Sequence, residues 1–457
     1  MNGYGFLLVY LTSSIFSAVA YKSYDGYRVV SVTLPDETAK RQVRDLTNQL
    51  GYQPDLLGES HKANHSAHFI IPGKDLGKVK AHFDKNHLQY SVKDINPEIF
   101  KQRRRRNALD GDITLADLDN RYLSYEEQMR FLETLAQQFP NRVKLIDIGN
   151  TYEGRSLRSV RIGDDGRPKP IVWIDSGTHA REWISYNAAL FLIYTLATNP
   201  AYQNVLDRVQ VVVVPNTNPD GYEYSRNADR LWRKTRSRIQ DIRCAGADMN
   251  RNYPFFWGTE GVSHSPCSEI FCGVRSMSEV ETAALVSAIQ REESRIRAYA
   301  ALHSYGQEIL YPWGHTVHKY PADVEDLKRV GNAMSLAIRN VNGSFYKVVN
   351  SGDGLYPAAG ASDDWAKSRG IKYSFTIELA PIDDETGFAL PESRIAATNR
   401  DAFAALITLV NTVDREFGRV QQRRSPSRTR HLVAGDSSVA SSSSSSQKFR
   451  YRAYGRG

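Results

Sequence analysis

Cysteine is scarce, with three in 457 residues. That excludes a scaffold held by several disulfides and a four-cysteine zinc ribbon. A net charge of one sign is missing from most of the chain as well. The overall +8 would suit a nucleic-acid binder, but from Arg419 onward nine Lys and Arg face one acid, Asp436, and the preceding 418 residues carry 50 charges of each sign. The basicity therefore belongs to a tail and names no partner for the rest. Beyond the first twenty residues no apolar run approaches the ~20 residues a spanning helix needs. What is present is aromatic and long. Twenty-five Tyr and 17 Phe in 457 residues exclude a disordered chain and exceed one ordinary domain.

Met1 to Ala20 contains the apolar stretch Phe6–Leu11 and its continuation, and ends in Ala18-Val19-Ala20 just before the first charge, Lys22. Small residues at that point fit a signal peptide cleaved after Ala20, against a short buried helix as the alternative. The mature protein is then exported and lacks a membrane span. Export permits a disulfide and makes Asn64-His-Ser66 and Asn342-Gly-Ser344 glycan acceptor triplets.

Residues 21–106 read as a small domain. Strands are expected at Tyr27–Leu34, Ala67–Ile71 and Gln89–Ile95, and helices at Asp36–Leu50 and Asp75–His87. The pattern predicts a small antiparallel sheet with two helices on one face. It ends in Arg103-Arg-Arg-Arg106, which between two globular stretches of an exported chain predicts cleavage by a basic-specific protease rather than a solvated helix end. Residues 107–418 form the large domain. Ser124-Tyr-Glu-Glu127 is a capping box opening a helix. Apolar strands then alternate with helices, which predicts an α/β fold: a mixed, largely parallel twisted sheet covered by helices on both faces. Residues 419–457, with Ser441–Ser446 and no apolar periodicity, read as a disordered basic tail suited to an acidic surface or matrix. The tail has no folded nucleic-acid recognition motif.

Chemistry begins where strands end. After Ile171–Ser176 comes His179-Ala-Arg-Glu182, a His and a Glu able to face one cation. Zinc takes imidazole nitrogen and carboxylate oxygen and, in catalytic sites, keeps a position for water. A surface ion pair would read the same way. A second strand, Arg297–Leu302, runs into His303, and a third, Tyr373–Leu379, carries Glu378 inside an apolar run. Unpaired burial of such a carboxylate is costly, so Glu378 is either half of a buried ion pair or a general base. In open α/β sheets reacting groups gather at the C-terminal ends of strands, where all three clusters could meet.

His179-x-x-Glu182, His303 and Glu378 resemble the zinc carboxypeptidases of the A/B type. Further matches are Leu231-Trp-Arg-Lys-Thr-Arg236, Asp248-Met-Asn250-Arg251-Asn252 and Tyr356-Pro-Ala-Ala-Gly-Ala-Ser-Asp363. Together they span nearly all of residues 112–418, and residues 21–106 resemble the family's activation segment. The resemblance implies one zinc held by His179, Glu182 and His303, with Glu378 as base and acid. It implies Arg236 as the stabiliser of the developing oxyanion, and Asn250, Arg251 and Tyr356 as the grip on the substrate's terminal carboxylate. Arg181 would border the next subsite. The substrate is then the C-terminus of a peptide or protein, the precursor is a zymogen cut at Arg106, and the enzyme is expected to be a monomer.

Within that resemblance, the residue seven after the carboxylate-binding Tyr sets specificity. Here it is Asp363, and a buried carboxylate without a cation favours a Lys or Arg end. Gly314 and the segment Ser351-Gly-Asp-Gly354 are less like the basic-specific members, so an aromatic or aliphatic end is the competing specificity. Cys244 and Cys267 match the family's disulfide, which leaves Cys272 over as a buried thiol or as half of an intermolecular bridge. The rival of a different class is an exported binding protein of the same fold that has lost catalysis.

Overall fold

The computed structural model describes residues 21–50, 55–60, 65–94, 113–163, 166–238, 244–381 and 387–418. The expected signal peptide, Asn64, the Arg103–Arg106 run and the tail lie outside these residues.

The small domain is a four-stranded antiparallel sheet, β1 (Tyr27–Leu34), β2 (Asp55–Ser60), β3 (His65–Pro72) and β4 (Tyr90–Asp94), in the order β2-β3-β1-β4. The sequence reading gave three strands. Asp55-Leu-Leu-Gly-Glu-Ser60 has no apolar alternation, and it pairs with β3 through a register shift between Leu56 and Gly58. Period-two alternation gives β1 two usable faces. Val30, Val32 and Leu34 meet Val43 and Leu46 of the helix Glu37–Leu50 and Val79 and Phe83 of the helix Leu76–Lys85. On the opposite face Val29 and its β3 partner Ile70, with Tyr24, pack against Leu231, Phe388 and Ala389 of the large domain. The small domain thus spends one sheet face on its own core and the other on its neighbour.

The large domain is built on β5 (Val143–Asn150), β6 (Ser156–Ile162), β7 (Ile171–Ser176), β8 (Gln210–Val214), β9 (Ile296–Ser304), β10 (Glu308–Tyr311), β11 (Lys347–Asn350) and β12 (Tyr373–Leu379). Their order is β11-β10-β12-β9-β7-β8-β6-β5, and the central four, β12-β9-β7-β8, are parallel. Strands covered on both sides read as unbroken apolar runs rather than alternations, as Ile171-Val-Trp-Ile does. Val172 and Ile174 face the helices Tyr125–Gln138, Trp183–Thr198, Val324–Asn342 and Ile395–Val413. Ile171 and Trp173 face the helices Val280–Glu292 and Ser362–Ser368.

Local signals were kept. Ser124 caps the helix Tyr125–Gln138, its Oγ accepting from Glu127 N while Glu127 accepts from Ser124 N at 2.7 Å. Cys244 and Cys267 are joined, with Cα atoms 5.0 Å apart, and Cys272 is a buried thiol. Asn342 Nδ2 donates to Ala397 O at 2.9 Å and Asp401 Oδ1 at 2.8 Å, so this acceptor amide is engaged in tying two helices together. No helix among the described residues is long and apolar enough to cross a membrane.

Candidate metal centre and substrate site

The chain leaves β7 through Gly177, at φ +76°, where an added Cβ would sit 2.2 Å from the Tyr186 ring. Only glycine fits both the conformation and the space. Tyr186 OH then donates to Gly177 O at 2.9 Å and His179 O at 3.3 Å, fixing the turn that presents His179. Glu182 stands at the N-terminal edge of the helix Trp183–Thr198. His303 comes from the C-terminal end of the neighbouring strand β9. In the β9–β12 pairing His303 lies opposite Glu378, and Glu378 lies opposite Glu308 of β10.

The ligand atoms of His179, Glu182 and His303 lie within 4.8 Å of one another, and all three residues are buried. His179 Nδ1 is 2.7 Å from Glu182 Oε1 and 3.2 Å from His303 Nδ1, which is 3.1 Å from Glu182 Oε2. The remaining His179 nitrogen, Nε2, lies 3.1 Å from Asp248 Oδ1. A carboxylate there assigns the proton to Nε2, so Nδ1 turns its lone pair inward. Lone pairs and a carboxylate converging in a buried space repel unless positive charge lies between them. The donor set of two imidazoles and one carboxylate therefore fits a zinc ion.

Asp248 was not given a role from sequence. Its carboxylate is fully buried and also accepts from Arg233 Nε at 3.1 Å and Nη2 at 2.8 Å, and from Asn250 N at 2.9 Å. Burial works to raise its pKa, but Arg233, His179 and Arg251 hold it well below the usual carboxylate range. Glu378 goes the other way. Burial pushes it up to about 8, with His303 opposing and Glu182 and Glu308 adding to the rise.

Arg236 stands apart from this cluster. Its guanidinium stacks 3.5 Å from the Tyr224 ring centroid and 4.4 Å from that of Trp232, with Glu153 3.9 Å away. The guanidinium beside the ligands belongs to Arg233, whose carbonyl also pairs with Ala180 N at 3.0 Å. Arg181 lies 4.1 Å over the Phe388 ring, under the small domain.

Asn250, Arg251, Tyr356 and Asp363 do come together. Asn250 Oδ1 accepts from Ser362 N at 2.9 Å, and the Arg251 guanidinium lies 5.8 Å from the Tyr356 ring centroid. Asp363 opens the helix Ser362–Ser368, buried, with Ser351 Oγ 3.4 Å from its Oδ2 and Thr376 as a second hydroxyl donor. No ion pair to Asp363 occurs among the described residues.

Residues 128–405 match the family described as zinc carboxypeptidases. The chain is 40% identical over 295 residues to carboxypeptidase B of Astacus astacus, covering 64% of this chain and 97% of that protein. It is 31% identical over 398 residues to carboxypeptidase A1 of Rattus norvegicus, covering 85% and 94%. The crystal structure of thrombin-activatable fibrinolysis inhibitor superposes with a TM-score of 0.76 at 31% identity, covering 86% of this chain and all of that one.

Proposed function

The chain belongs to the zinc carboxypeptidase family, and from that premise we propose an exported exopeptidase, made as a zymogen, that removes Lys or Arg from peptide C-termini. It is a metallocarboxypeptidase acting on peptide chain ends. The preference for basic ends is carried by one observation: a buried Asp363 provided with hydroxyls but with no cation among the described residues. Such a carboxylate is costly until a cation arrives. Its position suits that guest. Thr376, which Asp363 touches, and Glu378 share one face of β12 two residues apart, about 7 Å at 3.3–3.4 Å per residue. That is comparable to the reach of an extended Arg side chain from the bond being cut.

His179, Glu182 and His303 would hold the zinc. When bound, it supplies Lewis acidity, lowering the pKa of a water and polarising the scissile carbonyl. Glu378 accepts the attacking water's proton and delivers one to the leaving amine. Burial pushes this carboxyl up to about 8, and a divalent ion held beside it would lower it towards neutrality, where it can both take and return a proton. The oxyanion role given to Arg236 passes to Arg233, whose fork is oriented by its two bonds to Asp248. Arg251, with Asn250 and Tyr356, grips the terminal carboxylate, and that requirement restricts cutting to chain ends.

Zymogen character is supported by where the small domain sits. Tyr24, Val29 and Ile70 cover Phe388 and Leu231, beside Tyr305, two residues from His303. Cleavage after Arg106 would free that face. The basic tail then serves as a tether to an acidic surface.

The test is to cut the chain after Arg106 and compare blocked dipeptides ending in Arg, Lys, Phe and Leu, with and without a chelator. Arg and Lys ends should be hydrolysed fastest and the chelator should abolish turnover. Faster cleavage of Phe ends would overturn the basic-end reading and leave the enzyme class intact.

A further inference from the structure

The helix Ser362–Ser368 opens with two adjacent buried carboxylates that the fold treats oppositely. Asp364, with a fully buried side chain, accepts from Gly314 N at 2.7 Å, His315 N at 2.8 Å and His315 Nδ1 at 2.8 Å. The His315 ring is held in turn by Phe256, with centroids 4.1 Å and planes 6° apart. Asp363, its neighbour, receives the hydroxyls of Ser351 and Thr376 and the backbone N–H of Asp364, with no cation among the described residues. Ser351 links the two halves. A Cβ added to Gly314 would lie 3.0 Å from Ser351 Cβ and 3.7 Å from Asp364 Oδ1. Gly314 and Ser351 therefore face each other across a narrow gap beside Asp363, and the hold of Asp364 on Gly314 N sets that gap's width.

We propose that Asp364 is the positioning residue of the basic-end pocket. By clamping Gly314 and His315 it fixes the opening beside Asp363. By committing its charge to two backbone N–H groups and an imidazole, it leaves Asp363 as the carboxylate with which a substrate cation pairs. This rests on the basic-end reading above. Its electrostatic consequence is specific. Burial and then Asp364 push Asp363 up to about 6, while His303 on β9 opposes the rise. Asp363 is ionised above that pH, so cation affinity is present at neutral pH and is lost as the pH falls through about 6.

The processed enzyme and its Asp364→Asn variant are compared between about pH 5 and pH 8 on blocked dipeptides ending in Arg and in Phe. In the variant, KM for the Arg end should rise about tenfold at neutral pH while KM for the Phe end and both kcat values stay within about twofold. The acid limb of the Arg-to-Phe ratio of kcat/KM, in which the Glu378 titration common to both substrates cancels, should move down by about one pH unit, because a neighbouring negative charge is gone. Equal losses on both ends, or an unmoved limb, would give Asp364 a purely structural role and overturn the proposal. Should that variant fail to fold, His315→Phe keeps the Asp364 charge and an aromatic ring on Phe256 but removes the imidazole donor. It should raise KM for the Arg end about threefold with the limb in place, and an unchanged KM would defeat the clamp. A parent enzyme with no Arg preference defeats the basic-end reading itself. A parent that prefers Arg, with variants that lose nothing, defeats only this proposal.

Discussion

Replacing Asp248 with Asn keeps the side chain's shape and removes its charge. Asp248 accepts from His179 Nε2, from both Nε and Nη2 of Arg233 and from Asn250 N, with no exposure to solvent. An amide can accept at one end only, so its NH₂ must face either the imidazole N–H or the guanidinium, donor against donor. Two costs follow. Loss of the carboxylate behind a ligating histidine weakens metal affinity about 10–100-fold, or about 1.4–2.8 kcal/mol. Leaving Arg233 buried without its counter-ion costs about 3–5 kcal/mol of folding stability. At roughly 2–4 °C per kcal/mol for a domain of this size, Tm should fall by about 6–20 °C. Because Asp248 is held well below the usual carboxylate range, its contribution is fully present above the unfolded-state pKa. It fades as the pH drops through the folded-state value, and the gap in Tm between parent and variant should narrow in acid. Zinc affinity is read by competition with a chelator of known strength and Tm by calorimetry. A variant that keeps zinc affinity within about twofold, with Tm unchanged, would refute the assignment of Asp248 as the carboxylate that orients His179.

Three further substitutions separate roles in and around the cluster. Glu378→Gln should keep zinc, measured by metal content, and lose about 10²–10⁴-fold in kcat, since the amide cannot take a proton. Normal turnover would remove Glu378 from the proton path. Arg233→Lys should lower kcat by about 10²–10³-fold, because an ammonium cannot reproduce the fork. Arg236→Lys should change kcat less than about threefold, as its guanidinium stacks on Tyr224 and Trp232 away from the ligands. The reverse ranking would restore Arg236 to the oxyanion role.

The ligand triad was legible because each member sits where an apolar run stops: His179 after Ile171–Ser176 and His303 at the end of Ile296–Ser304. Glu378 was legible as a carboxylate that such a run cannot bury unpaired. The longer elements followed from the same signal. Elements of four residues did not. Glu308–Tyr311, between Gly306 and Pro312, and Lys347–Asn350 are too short to show a period, and they join the sheet, Lys347–Asn350 as its edge strand and Glu308–Tyr311 next to it, through pairing with partners far along the chain. The helix Pro219–Asn227 was hidden because Asn-Pro-Asp-Gly reads as a turn, whereas here Asn218 caps it by accepting from Gly221 N.

The choice between Arg233 and Arg236 shows a different limit. Arg230-Leu-Trp-Arg-Lys-Thr-Arg236 offers four cations in seven residues, and nothing in their order says which turns inward. Three-dimensional neighbours decide. Ala180 N binds Arg233 O, laying this segment along the His179 turn, and Asp248 then captures the Arg233 guanidinium. Arg230 is drawn off to the carbonyls of Arg181 and Phe388, and Lys234 to that of Pro266. Asp248 supplies the other half of the choice. An acid between buried Ala247 and Met249 must find a cation and donors, so one of the four has to turn to it, and the fold selects Arg233.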